Sequence, residues 1–102
     1  MSEIERATRR SNRYLSTGEV IAALPVEAKP YACRVGAWVW IEFPTMPDKA
    51  IREALILLGF SWNHTRRAWQ HACGRFMPCS PGDPRMKYGT APIVDEATAT
   101  AA

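Results

Sequence analysis

The pattern of the chain predicts a small α+β domain, ordered helix, strand, helix, strand, strand, with a three-stranded sheet and a helix packed on one face. A serine–glutamate capping signal at residues 16–19 opens a helix that Pro25 stops. An alternating apolar run fills residues 33–43. A helical apolar stripe over 48–58 then ends at Gly59, just before two short strands. At 102 residues there is room for one domain only, since cores split at two or three times that length.

Residues 1–15 read as a basic arm, with no apolar periodicity beyond Ile4, Tyr14 and Leu15. The compact domain covers 16–76, and 77–102 form a Pro/Gly-rich irregular segment. In Ser16-Thr17-Gly18-Glu19 the serine hydroxyl accepts an amide N–H of the first turn and the glutamate reaches back. Val20, Ile21 and Leu24 follow at helical spacing, and Leu15 is placed as a staple against Val20. Pro25 and Pro30 mark 25–32 as a connector.

Through 33–43 a single strand puts Val35, Ala37, Val39, Ile41 and Phe43 on one face, and Gly36, Trp38, Trp40 and Glu42 on the other. A strand apolar on both faces is either covered on both or uses one for binding. Pro44 ends it. Thr45 is then the expected N-cap, with Pro47 in the first turn and Asp48 where the helix dipole favours an acid. Ile51, Leu55 and Leu58 form the buried stripe of this helix, and Gly59 suits a left-handed C-terminal residue. Strands at 60–63 and 68–72 follow, joined by a polar loop. The helix over 48–58 covers one sheet face, and the N-terminal helix is available to cover part of the other. The connection from the first strand to the hairpin should be right-handed if those strands are parallel.

Thirteen Lys and Arg against ten Asp and Glu give a formal charge of +3, and its placement matters more than its size. Arg6, Arg9, Arg10 and Arg13 crowd the first residues, while Arg66, Arg67, Arg75, Arg85 and Lys87 dominate the second half. That balance suits a protein that meets phosphates or an acidic partner, although a solvated surface accounts for it equally. No apolar run approaches a membrane span, and the charged start lacks a secretory signal, so the expected location is cytoplasmic. Three cysteines, Cys33, Cys73 and Cys79, make an odd count that argues against a disulfide framework. With His71 they number four soft ligands, but only His71 and Cys73 are closely spaced, whereas zinc sites favour two close pairs. Ordinary thiols are the default, and no metal or cofactor is expected.

Eight of the ten aromatic residues lie between Tyr31 and Phe76. Gly59-Phe60-x-Trp62, followed by Arg67-x-Trp69, resembles the "GF-x-W … K/R-x-W" hairpin of small strand–helix–hairpin modules. Such modules occur in plasmid and phage primases, helicases and antirestriction proteins, and the HARP domain of annealing helicases is broadly similar. The resemblance spans about residues 34–73. It implies an accessory module of DNA transactions without a catalytic centre of its own, with Trp62, Arg66, Arg67 and Trp69 at the positions of the basic hairpin.

Two readings of function follow. In the first, a mobile-element protein binds nucleic acid, single-stranded or at DNA junctions. Arg9, Arg10, Arg13, Arg66 and Arg67 neutralise phosphates, and Trp38, Trp40, Trp62 and Trp69 stack on unpaired bases. In the second, the same Trp and Arg side chains dock a protein, as in an inhibitor or an anti-defence adaptor. Trp38 and Trp40 divide between a stacking platform and a core covered by the helix at Val20–Leu24, and the short chain favours the core. His64, His71 and Glu42 have no nucleophile at a useful spacing. There is no phosphate loop, H-E-x-x-H or G-x-S-x-G, so an enzyme is not expected.

Overall fold

The computed structural model describes residues 1–75 and 82–93, and within them an α+β domain with four α-helices and a five-stranded antiparallel sheet. The elements are α1 (Glu3–Asn12), α2 (Thr17–Ala23), a 3-10 turn (Lys29–Tyr31), β1 (Ala32–Val35), β2 (Trp38–Ile41), α3 (Lys49–Leu58), β3 (Ser61–Asn63), β4 (Ala68–His71), α4 (Pro84–Tyr88) and β5 (Ala91–Pro92). The strand order is β3-β4-β2-β1-β5. The sheet is therefore larger than the three strands expected. One extra strand comes from splitting the 33–43 run, and the other from the segment read as irregular.

The split follows from Gly36, whose φ of 62° fits the first position of a two-residue type II′ turn. Val35 then pairs with Trp38, and Cys33 with Trp40. Folding back changes the parity of the faces, so Val35 joins the tryptophan face instead of the Val39 face. Antiparallel pairing of β4 with both β2 and β3 leaves β2 and β3 parallel, with β4 between them. The α3 crossover thus spans one intervening strand.

Of the three expected caps, those at Ser16 and Gly59 form and the one at Thr45 does not. At Ser16 the full capping box forms, with Ser16 Oγ accepting from Glu19 N at 3.2 Å and Glu19 Oε1 accepting from Ser16 N at 3.1 Å. Leu24 closes that helix before Pro25. The N-cap of α3 is Asp48, not Thr45, and its side chain makes no cap bond. Gly59 ends α3 at φ 110°, and a Cβ there would lie 2.8 Å from His71 Nε2. Both conformation and space require glycine.

One sheet face carries the main core. Val20 and Leu24 of the α2 region, Leu55 of α3 and Phe60 pack on Val39, Ile41 and Trp69. Both helices therefore cover the same face, and α2 does not lie over Trp40. The opposite face gathers Val35, Trp40 and Ala68 with Cys33 and Trp38, and the region of α4 covers it.

The stretch read as a basic arm is mostly helix. Ser2 and Glu5 form a second capping box, and α1 contacts α3 without burying any of its own residues. It docks by hydrogen bonds. The last carbonyls of a helix have no partner within it, and here Arg9 Nη1 donates to Ile56 O at 2.7 Å and Phe60 O at 2.9 Å. Asn12 Nδ2 donates to Leu57 O at 3.0 Å.

Candidate functional site

A groove of about 770 Å³ opens where the β2–α3 connector faces the β3–β4 hairpin. The connector supplies Phe43, Pro44, Thr45, Met46 and Pro47, α3 supplies Arg52, and the hairpin supplies Trp62, His64, Arg67 and Trp69. Pairing of Trp62 with Trp69 sets the rings 5.6 Å apart at a 58° tilt. Trp69 is opposite Ile41 of β2 and nearly buried, so it forms a fixed wall. Trp62, on the outermost strand, is 50% exposed and offers an open aromatic face.

The hairpin loop divides its two arginines. Asn63 Oδ1 accepts from Arg66 N at 2.9 Å, which orders the turn, and Arg67 adopts a left-handed φ of 53°. Arg67 then lines the groove. Arg66 goes to the other face, where it donates to Gly82 O at 3.1 Å and lies 5.8 Å from the Trp40 ring centre. Arg52 Nη1 donates to Pro47 O at 3.2 Å and braces the connector. Among the described residues the lining holds two guanidiniums and an imidazole but no carboxylate. Such a surface can stack planar rings and attract anions.

Of the residues expected to bind, the groove unites Trp62, Trp69 and Arg67. Arg9 is committed to α3, and burial there lowers its pKa below the ordinary guanidinium value, with Arg13 adding repulsion. Arg10 and Arg13 are exposed on or beside α1 and do not line the groove. Trp40 is wholly buried beneath Arg85, whose guanidinium lies 5.0 Å from the ring centre. Trp38 is half-buried and donates from Nε1 to Arg75 O at 2.7 Å.

Sequence reasoning missed Phe43, Pro44, Met46, Pro47 and Arg52. The available signal was Met46 between two prolines, since a methionine there has no helix or strand in which to bury. His71, considered for acid–base work, is a structural residue. Its Nδ1 accepts from Cys73 N at 2.8 Å, so the proton sits on Nε2, which faces Asn12 O and Leu58 O at 3.0 Å each. Both ring nitrogens are thus engaged. Among the described residues no three His, Cys, Asp or Glu side chains gather as a metal site, and Cys79 lies outside those residues. Burial raises the thiol pKa of both Cys33 and Cys73.

Fold and groove together define a small α+β module that presents an aromatic, cation-rimmed cleft at one end of its sheet. No protein-family model, curated protein or solved structure matches the chain. Among the described residues no helix is long and apolar enough to cross a membrane.

Proposed function

We propose that this chain is a non-enzymatic accessory protein that binds single-stranded nucleic acid in the groove. The carrying observation is the half-exposed Trp62 ring beside Arg52, Arg67 and His64, with no acid among the described residues of the lining. An unpaired base stacks on Trp62 against the Trp69 wall, and the guanidiniums take flanking phosphates. Duplex DNA keeps its bases inside the stack and cannot use the aromatic face. The resemblance of the hairpin to modules of plasmid and phage primases and helicases supports a role in the DNA transactions of a mobile element, in the cytoplasm of its host.

Titration of labelled single- and double-stranded oligonucleotides at low salt tests this reading. The single strand is expected to bind more tightly, and Trp62→Ala to weaken it roughly tenfold, within the ~1–3 kcal/mol of stacking one base. A wild-type protein that binds neither strand at low salt removes the proposal.

One feature favours a second reading. Met46 is 79% exposed between Pro44 and Pro47, and methionine and tryptophan are enriched where proteins dock. In that case the groove takes an acidic, apolar segment of a protein partner, as an inhibitor or adaptor would. Binding of acidic peptides but not oligonucleotides, abolished by Trp62→Ala, would select it.

A further inference from the structure

Trp40 and Gln70 are paired across β2 and β4, so their side chains rise together from the sheet face opposite the main core. Trp40 Nε1 and Gln70 Nε2 are both buried, and among the described residues neither has a hydrogen-bond partner. The other terminal atom of Gln70 is engaged, accepting from Asn63 at 3.2 Å. Unpaired buried donors are rare in folded proteins, so two on paired positions call for an acceptor, either a water or a group of a ligand.

Residues 82–90 cover this place through mostly polar contacts, while Ala91 and Pro92 are paired with β1. Arg66 donates to Gly82 O, and Arg85 lies over the Trp40 ring and pairs with Glu42 and Asp83. The Tyr88 ring lies over Gly36, 3.2 Å from where a Cβ would stand. None of the α4 residues is buried, and only Ile93 at the far end belongs to the main core. A guanidinium and a nucleobase are alternative partners for an aromatic face. Arg85 therefore occupies the position a base would take on Trp40.

We infer that residues 82–90, ahead of β5, are a displaceable cover over a second site for single-stranded nucleic acid. A base replaces Arg85 on the Trp40 face and accepts from the Gln70 amide, and the released Arg66 and Arg85 face phosphates. The inference rests on the nucleic-acid reading given above and extends it to the opposite face of the sheet.

Two variants loosen the cover in different ways. Tyr88→Ala removes the packing on Gly36 without changing charge, whereas Arg85→Ala removes the stacked group together with a positive charge. Each is compared with wild type and with Trp62→Ala for binding of a labelled single-stranded oligonucleotide. Tyr88→Ala is expected to bind at least fivefold more tightly, the low end for one stacked base. Its binding should also fall more steeply with salt, because two further guanidiniums are released. Arg85→Ala should tighten binding despite the lost charge, an outcome opposite to that of a simple electrostatic contact. Ultraviolet crosslinks in both variants should reach the peptide containing Trp40.

Unchanged or weaker binding in both variants, with crosslinks confined to Trp62, overturns the cover and leaves the groove standing. Binding by Tyr88→Ala but not by wild type upholds the cover and removes the groove. If no form binds, both fall.

Discussion

At the scale of single residues, the deciding question is what each cation is already doing. Arg9 and Arg66 hold backbone carbonyls, and Arg85 holds a ring and two carboxylates, whereas Arg67 and Arg52 line the groove, Arg52 while also bonded to Pro47 O. Arg67 is unusual because it holds a left-handed backbone that disfavours any residue with a Cβ. Replacing it with glycine relieves that strain, so Arg67→Gly should raise the urea midpoint, by up to about 1 kcal/mol of stability, while weakening oligonucleotide binding. A loss of both stability and binding would mean that the side chain also supports the fold. His71 gives a pH dependence. Burial lowers its pKa most, Arg13 and Arg9 lower it further, and the bonds to Leu58 and Asn12 oppose them. The folded value lies below the unfolded one of about 6.5, so the unfolded chain binds the proton more readily. The stability from neutral His71 is complete above that pH and is lost as pH falls toward the folded value. Urea midpoints should therefore drop between pH 7.5 and 5.5 in wild type and stay flatter in His71→Gln. Equal slopes in the two proteins would contradict the assignment.

At the scale of elements, the sheet and helices show which signals are local. The box at Ser16–Glu19, the Gly59 stop and the β3–β4 hairpin depend on neighbours in sequence and were legible there. α1 was not, because it buries no residue and has no apolar stripe to read. Its Ser2 and Glu5 box was present in the sequence all the same. What fixes α1 is the set of open carbonyls at the end of α3, reached by Arg9, Asn12 and, from β4, His71. A hydrogen bond from a charged donor is worth about 1.5–3 kcal/mol, so Arg9→Ala should destabilise by roughly that amount. The same variant should leave oligonucleotide affinity unchanged when assayed where it is fully folded. A matching loss of affinity would return Arg9 to the binding surface. The 33–43 run misled for a related reason. Gly36-Ala37 is a weak turn signal inside an alternating pattern, and only pairing with β4 and β5 makes two strands better than one.

At the scale of the whole molecule, most of the cations with described partners bond within the fold, and two guanidiniums line the groove. Five arginines read as phosphate contacts predict a steep salt dependence. With Arg52 and Arg67 as the groove's guanidiniums, binding should be shallow instead, with a log–log slope of roughly −1.4 for two phosphates on a single strand. A slope several times larger would bring Arg10, Arg13 or the covered arginines into the interface. The sequence by itself determined the α+β character, the ends of α2, the Gly59 stop of α3, the aromatic hairpin and the partnership of Trp62 with Trp69. These are fixed by caps, prolines, glycines and period, which act over a few residues. Only the tertiary structure decided which arginines line the groove, which tryptophan faces outward and that the β2–α3 connector forms a wall. Arg9 finds its acceptor 51 residues along the chain, and Arg66 finds one 16 residues away. A guanidinium carries five donors and no address. Its partner is chosen by whichever carbonyl or ring the packing brings within reach.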